Sequence, residues 1–123
     1  MLGAMLKEII GVADDPPATR RWFHDDYFDL FVWQAGGEVT LFALCYGPDS
    51  SGRALVWDKQ RGFFHDGPAA REEWVARFDD ASAALPEDIR REIGPKVHEF
   101  AYSRPGVESR RKRYRRARAA ACR

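Results

Sequence analysis

The chain has 123 residues, of which 45% are hydrophobic and 32% charged, and its net charge at neutral pH is +1. This composition is typical of a single globular domain and excludes disordered, fibrous and ordinary two-domain chains. No apolar run reaches the roughly 20 residues of a membrane-spanning helix, and the start lacks the pattern of a secretion signal. We therefore expect a cytoplasmic protein with no membrane partner.

The charges are divided unevenly along the chain. Residues 1–108 hold all nineteen acidic residues and twelve basic ones, a net charge of −7, whereas residues 109–123 hold eight basic residues and no acidic one. Such an asymmetry indicates a basic tail on an acidic body. We predict a single domain over residues 1–106, followed by an Arg-rich tail over residues 107–123.

Residues 2–13 have their hydrophobic side chains at helical spacing. The stripe contains Leu2, Met5, Leu6, Ile9 and Ile10. This spacing predicts an N-terminal amphipathic helix. We expect it to end at the acidic and proline-rich residues 14–17, because proline excludes the helical conformation from the residue before it.

Five segments rich in aromatic and β-branched residues follow, and these residue types favour strands. The segments are residues 20–24, 28–33, 39–46, 53–57 and 62–65. The connections between them are short, which suits antiparallel neighbours, because parallel strands need a crossover of about a dozen residues. The sequence therefore predicts an antiparallel meander of four or five strands.

The central segments are hydrophobic on both sides. Leu30 and Val32 alternate with Phe31 and Trp33, whereas a sheet with one wet face alternates apolar and polar residues. We therefore expect both faces to be covered, either by the N-terminal helix crossing over or by a partner. Because large apolar patches mark interfaces, we expect a homo-oligomer formed through a sheet face or edge.

Helical spacing returns after Pro68. The first stripe contains Trp74, Phe78, Ala81 and Leu85, and the second contains Ile89, Ile93, Val97 and Phe100. Gly94 and Pro95 interrupt the second stripe, so we predict a break or kink there. The predicted fold is α+β, with the C-terminal helices packed on the sheet.

The tripeptide Phe-His-Asp occurs twice, at residues 23–25 and 64–66. If these strands were neighbours, His24 and His65 would converge with the following aspartates and offer ligands for a metal-dependent hydrolase. The same residues also suit two strand ends, with a turn after His24 and a helix cap at Asp66. We favour the structural interpretation and predict no catalytic residue, no cofactor and no metal site.

Three aromatic residues of the strands suggest a second candidate site. Trp33, Tyr46 and Trp57 would lie side by side on one sheet face, an arrangement that suits the stacking of a base or another flat ligand. Core packing and a dimer contact use the same residue types. We favour core packing or a dimer contact, because buried aromatic side chains dominate both.

The tail departs most from an ordinary domain. Its basic residues around Tyr114 are nearly continuous: Arg110, Arg111, Lys112, Arg113, Arg115, Arg116 and Arg118. Arginine-rich segments of this kind bind RNA and other polyanions. Three partners stay open for the tail: an acidic protein, a nucleic acid, and the acidic body of its own chain.

The two cysteines are far apart in the sequence. Cys45 lies in a hydrophobic segment and Cys122 in the tail. Two cysteines do not form a disulfide framework. We therefore expect both to be free thiols in a reducing compartment.

Three strand motifs suggest a relationship to other proteins. They are a Trp-Phe…Asp-Leu-x-Val-Trp strand, a Leu-Cys-Tyr strand end and an Arg-Ala-Leu-x-Trp strand. In this chain they fall on Trp22, Phe23, Asp29, Leu30, Val32, Trp33, Leu44, Cys45, Tyr46, Arg53, Ala54, Leu55 and Trp57. With these motifs, roughly residues 4–100 resemble a family of small uncharacterised bacterial proteins. The resemblance implies one compact α+β domain and carries no activity or catalytic residue, and the tail lies outside it.

These observations favour a non-catalytic cytoplasmic binding or interaction module whose tail contacts an acidic partner. One alternative is a nucleic-acid-binding accessory protein that acts through the tail. The other is a small metal-dependent hydrolase that uses His24 and His65. The positions of these two histidines in the folded chain separate the hydrolase from the binding functions.

Overall fold

A computed structural model describes residues 5–47, 53–66 and 71–102, and the tail lies outside these ranges. The strands are β1 (Lys7–Ile9), β2 (Thr19–His24), β3 (Phe28–Ala35), β4 (Glu38–Tyr46), β5 (Arg53–Asp58) and β6 (Gly62–Asp66). The helices are α1 (Arg71–Ser82) and α2 (Glu87–Tyr102). The predicted α+β class is therefore confirmed.

The strands form one sheet in their order along the chain, and each neighbouring pair is antiparallel. The predicted meander is confirmed, with six strands rather than four or five. Gly36 and Gly37, both at positive φ, close the hairpin between β3 and β4 as two-residue loops require. Between β2 and β3 the Asp25 carboxylate accepts hydrogen bonds from the backbone N–H groups of Tyr27 and Phe28, so the predicted turn is confirmed.

The predicted N-terminal helix is wrong, because this segment contributes β1 instead. Lys7–Ile9 pairs with β2 along the edge of the sheet. Leu6 and Ile10 are four residues apart and would share one face of a helix, yet Leu6 is 2% exposed and Ile10 is 87% exposed. An isolated helix of about 12 residues is marginal in water, whereas β2 supplies a row of backbone hydrogen-bond partners. Strand pairing therefore prevails over a weak helical pattern.

Side chains alternate between the two faces of the sheet. One face, which we call the core face, carries residues that are 0–1% exposed: Phe23, Leu30, Val32, Phe42, Leu44, Tyr46 and Leu55. Both helices pack against this face and form the main core with it. The intervening residues point to the opposite side, where the second hydrophobic cluster contains no residue of α1 or α2. We call that side the helix-free face.

Both predicted helical stripes are buried. Their members are at most 5% exposed: Trp74, Phe78, Ala81, Leu85, Ile89, Ile93, Val97 and Phe100. Of the predicted break or kink, the break is wrong, since α2 continues through Gly94 and Pro95, and the kink stays a prediction. A proline inside a helix costs about 3 kcal/mol. Burial of each large side chain on the same helix contributes about 1.5–3 kcal/mol, so the stripe offsets that cost.

Two hydrogen bonds attach the helices to the sheet layer. The backbone N–H of Leu6 donates to the carbonyl of Ala81 in α1 at 3.2 Å, and the N–H of Val39 donates to the Glu92 carboxylate in α2 at 3.2 Å. Leu6 thus joins the core although no N-terminal helix forms. Within the described residues, neither helix is long and apolar enough to cross a membrane.

The substitution Phe42→Ala tests the packing of the core face. Phe42 is 0% exposed and its ring stacks on Trp57, so truncation should leave a cavity and lower the free energy of unfolding by about 3–5 kcal/mol. Denaturant unfolding measures the change. Ile10→Ala is the control and should change the free energy by less than about 0.5 kcal/mol, because Ile10 is exposed. Equal losses in the two variants would contradict this packing.

Candidate functional site

The helix-free face carries a hydrophobic row that crosses five strands. The register aligns one residue each from β2 to β6, and we call this set the apolar row: Trp22, Phe31, Ala43, Val56 and Phe64. Phe31, Ala43 and Val56 are buried at its centre, while Trp22 and Phe64 are half-buried at its ends. Among the described residues, the row therefore presents its half-buried aromatic ends on the side that α1 and α2 do not contact.

Aromatic and cationic side chains stack beside the apolar row. The Trp22 and Phe31 rings are nearly parallel, with centroids 5.5 Å apart and planes at 12°. The Arg20 guanidinium lies 6.0 Å from the ring centroids of both Phe31 and Trp33. The Trp33 indole N–H donates to the Asp15 carboxylate at 3.1 Å. This side of the row thus already accepts a guanidinium over its aromatic rings.

A carboxylate organises the opposite flank of the row. Asp29 Oδ1 accepts a hydrogen bond from the Trp22 indole at 2.8 Å and lies 2.7 Å from His24 Nδ1. Because a carboxylate only accepts, the neutral His24 ring must carry its proton on Nδ1. Asp29 thereby orients both rings, and the half-exposed His24 ring keeps Nε2 as its acceptor nitrogen.

His65 lies on the other face and is part of the core. It is 1% exposed, and its Nε2 lies 2.5 Å from the Tyr46 hydroxyl. Its ring stacks on Phe100 with centroids 5.4 Å apart, and the Tyr46 ring stacks on Trp74 at 4.6 Å. The result is a buried stack that joins β4 and β6 to both helices.

The structure does not bring His24 and His65 together. They belong to β2 and β6, four strand spacings apart, or about 19 Å, and they point to opposite faces. The third histidine, His98 of α2, is paired with Asp79 of α1 at 2.7 Å. Across residues 5–47, 53–66 and 71–102, no three His, Cys, Asp or Glu side chains are grouped as metal ligands. The geometry therefore gives no support to the metal-dependent hydrolase.

The three aromatic residues predicted to share a face are divided between the two faces. Tyr46 and Trp57 belong to the core, whereas Trp33 packs with the second cluster on the helix-free face. Trp33 pairs with Leu41, which is an odd number of residues from Tyr46, so the strand alternation separates them. The proposed stacking surface of Trp33, Tyr46 and Trp57 does not exist as a unit.

Cys45 is disulfide-bonded, so the expectation of a free thiol at this position is wrong. It lies on the helix-free face between Asp29 of β3 and Ala54 of β5.

Several predicted residues lie outside the described part of the chain. These are the tail residues Arg110, Arg111, Lys112, Arg113, Arg115, Arg116 and Arg118, together with Cys122 and Pro68. The Asp66 side chain, predicted to cap α1, is also outside the described part. Their roles stay predictions.

One ion pair holds the edge strand β1 to β2. The Arg21 guanidinium donates two hydrogen bonds of 2.8 Å to the Glu8 carboxylate. These hydrogen bonds hold the pKa of Glu8 below its usual value of 4.5. Since both side chains are about one-third exposed, solvent screens the pair and its contribution to stability is below about 1 kcal/mol.

Sequence reasoning missed most of the apolar row. The alternation of two hydrophobic sets in the central strands, with Phe31 in the second set, indicated a second apolar face, but Trp22, Val56 and Phe64 were not assigned to it. The register across five strands was the missing information, because a shift of one residue exchanges the two faces.

No protein-family model, curated protein or solved structure matches this chain. Membership of the bacterial family suggested by the strand motifs therefore stays a proposal.

Glu8→Gln tests the ion pair through its pH dependence. Because the folded-state pKa of Glu8 is depressed, its stabilising contribution is present above the unfolded pKa and is lost as the pH falls through the folded pKa. Wild type should thus lose up to about 1 kcal/mol more stability than Glu8→Gln as the pH falls from about 6 to about 3. Denaturant unfolding across this range measures the difference.

Glu87→Gln is the matched control for the ion pair. Glu87 faces Arg91 at 3.9 Å and both side chains are about 70% exposed, so its removal should leave the pH profile of wild type unchanged. Identical profiles for wild type and Glu8→Gln would contradict the assignment.

The ring nitrogen of His24 that carries the proton can be measured, and it tests the contact between His24 and Asp29. Nitrogen-15 spectra of the neutral rings should show the proton of His24 on Nδ1, facing Asp29, and that of His98 on Nε2, facing Asp79. Asp29→Asn should shift the His24 ring towards the other tautomer, because the charged acceptor is lost, and His98 should be unchanged. The Nε2-protonated form of His24 in wild type would contradict the geometry.

Proposed function

We propose that the protein is a non-catalytic binding module that uses the helix-free face and the basic tail. The proposal rests on one observation, which is that the three histidines of the protein lie in separate places. The pairs are His24 with Asp29, His65 with Tyr46, and His98 with Asp79. Acid–base and metal-assisted reactions need such groups to converge on one substrate, and these three pairs occupy three different places.

The helix-free face supports the binding half of the proposal. The apolar row presents Trp22 and Phe64 half-buried at its ends, and Trp33 and Leu41 flank it. Aromatic side chains are enriched in protein interfaces because each removes a large apolar area from water. Oriented polar groups stand beside them, including the Asp29 carboxylate. A self-complementary contact between two copies, which would give a homo-oligomer, uses the same surface.

The tail supports an acidic partner. Its eight basic residues without any acidic one attract a polyanion, and residues 1–108 of the same chain carry a net charge of −7 of the opposite sign. A nucleic acid offers the same charge and stays the alternative partner. An aromatic surface and a basic segment in one protein are also the combination that single-stranded nucleic acids bind.

The cytoplasm is the compartment we propose, and the disulfide at Cys45 constrains that proposal. Disulfides in cytosolic proteins are usually transient and redox-sensing. In that compartment we expect the bond at Cys45 to be transient. The suggested bacterial family supports only one compact α+β domain.

Polyanion binding in the presence of a reductant tests the tail. If about five basic groups contact phosphates, log affinity for labelled duplex DNA should fall against log salt concentration with a slope of about −4.5. Replacement of Arg110, Arg111, Arg113, Arg115 and Arg116 by Gln should reduce the affinity strongly and bring the slope close to zero. Fluorescence anisotropy at several salt concentrations measures both.

Two comparisons make this test specific. Arg90→Gln with Arg91→Gln removes two exposed cations from α2 and should leave the affinity unchanged. In a second titration, labelled poly-L-glutamate replaces DNA as a probe that represents acidic proteins. A higher affinity for DNA than for poly-L-glutamate at the same salt concentration would favour the nucleic-acid alternative. Equal affinities of wild type and the five-fold variant would contradict a role of the tail, and no binding of either probe would contradict the proposed function.

A further inference from the structure

His24 stands in the middle of a polar row that crosses three strands of the helix-free face. The register aligns Lys7 of β1 with His24 of β2, and His24 with Asp29 of β3. Residues directly opposite each other in antiparallel strands point to the same face, with Cβ atoms about 4.5–5.5 Å apart. We call these three residues the His24 row. It places a cation, an imidazole and a carboxylate side by side in that order.

Asp29 determines which ring nitrogen of His24 is available. Asp29 Oδ1 lies 2.7 Å from Nδ1, so the neutral ring carries its proton on Nδ1 and its lone pair on Nε2. The Trp22 indole donates to the same oxygen at 2.8 Å and thereby holds the carboxylate in place. The His24 side chain is 49% exposed, and within the described residues Nε2 has no hydrogen-bond partner. His24 thus presents an oriented nucleophilic nitrogen on a half-exposed ring.

Lys7 supplies positive charge on the β1 side of the ring. Nδ1 faces β3, and the two ring nitrogens point away from each other, so Nε2 points towards β1 or the solvent beside it. Lys7 is exposed and forms no ion pair with another described residue. The carboxylate of β1, Glu8, alternates to the opposite face and is bound to Arg21. The Lys7 ammonium can therefore contact an anionic group attached to Nε2.

The order of charges in the His24 row selects the class of ligand. Histidines that bind metals also donate their other ring N–H to a carboxylate. A metal ion at Nε2 would face the Lys7 ammonium, however, and among the described residues no three ligand side chains are grouped. A phosphoryl group carries negative oxygens, and lysine binds phosphate as a point charge with three donors. The row therefore suits a phosphoryl group and not a metal ion.

We propose that Nε2 of His24 is a phosphoryl acceptor, with Asp29 as the positioning residue and Lys7 as the cation that contacts the phosphoryl oxygens. The donor is a phosphoramidate or an acyl phosphate, because both have a phosphoryl group bonded to a good leaving group. The inference goes beyond the proposed function and does not depend on it, since it needs neither the tail nor a partner. Attachment would add negative charge beside Trp22 of the apolar row, which shares the Asp29 oxygen with His24.

The transfer balances with phosphoramidate as the donor. The Nε2 lone pair forms a bond to phosphorus, the phosphorus–nitrogen bond of the N-protonated donor breaks, and its electron pair leaves with ammonia. The Nδ1 proton stays on the ring. The new bond places positive charge on the imidazole, and the Asp29 carboxylate at 2.7 Å stabilises that charge.

His98 is an internal control for exposure and for pairing with a carboxylate. Its side chain is 41% exposed, close to the 49% of His24, and it also lies 2.7 Å from an aspartate, Asp79. In His98, however, Nε2 is the nitrogen that faces the carboxylate. A general reactivity of exposed histidines would label both residues, whereas the His24 row leaves Nε2 available in His24 alone.

Treatment of the full chain with phosphoramidate at neutral pH tests the proposal. Phosphorus-31 and nitrogen-15 spectra identify the ring nitrogen, and peptide mapping under alkaline conditions identifies the residue. Nε2 of His24 should be phosphorylated at least about 10-fold faster than His98, and His24→Gln should lose this product. Equal rates at the two histidines, attachment to Nδ1 of His24, or no phosphorylation of His24 would each overturn the proposal. This comparison within wild type does not depend on the folding of any variant.

Asp29→Asn tests the positioning role. The charged acceptor that keeps the proton on Nδ1 is lost, so the phosphoryl group should be distributed over both nitrogens of the His24 ring. A merely structural role of Asp29 would change the rate without changing the nitrogen that reacts. Exclusive attachment to Nε2 in Asp29→Asn would overturn the role of Asp29.

Lys7→Met tests the cation of the row. Methionine keeps much of the length of the side chain and removes its charge, so phosphorylation of His24 should be about 3-fold to 10-fold slower and should stay on Nε2. Lys59→Met is the matched control, because Lys59 is also exposed but is bound to Glu38 at 2.6 Å. It should leave the rate at His24 unchanged. Equal rates in Lys7→Met and wild type would overturn the role of Lys7.

Discussion

The two-residue alternation of side chains along β3 and β4 is the constraint on which the rest of the molecule depends. Both alternating sets are hydrophobic, with Leu30 and Leu44 in one and Phe31 and Ala43 in the other. Helices α1 and α2 pack on one face and bury the first set, and within the described residues they do not contact the second set. The surface that we propose for binding is thus a consequence of a sheet with two apolar sides, of which α1 and α2 contact one.

The same alternation decides what each histidine does. In β6 it places His65 on the core face, where Tyr46 satisfies its ring nitrogen and aromatic rings exclude water. A buried imidazole without such a partner would be costly, so the hydrogen bond makes its burial possible. In β2 it places His24 on the helix-free face, where Asp29 orients a half-exposed ring. Two similar tripeptides therefore have unrelated environments.

The uneven distribution of charge and the position of Cys45 belong together physically. A tail with eight like charges repels itself in isolation, and the acidic body, whose apolar row lies on the face that α1 and α2 do not contact, carries the opposite charge. Cys45 stands on that surface rather than in the helix-packed core. Asp29 and Cys45 are paired neighbours on this face, so a carboxylate and the Cys45 sulfur lie side by side there.

The sequence by itself determined the local elements, because strand and helix spacing, turn glycines and the helical stripes of α1 and α2 depend on neighbouring residues. Those stripes, from Trp74 to Phe100, and the five strands after residue 18 were all predictable. Only the tertiary structure decided that Lys7–Ile9 is a strand, that Pro95 stays within a helix, and which aromatic residues share a face. Each depends on partners distant in the sequence: β2 for the first strand, the core face for the helix, and the register of five strands for the apolar row. Long-range pairing outweighs local preference at these places, because burial and backbone hydrogen bonds there exceed the small differences in propensity.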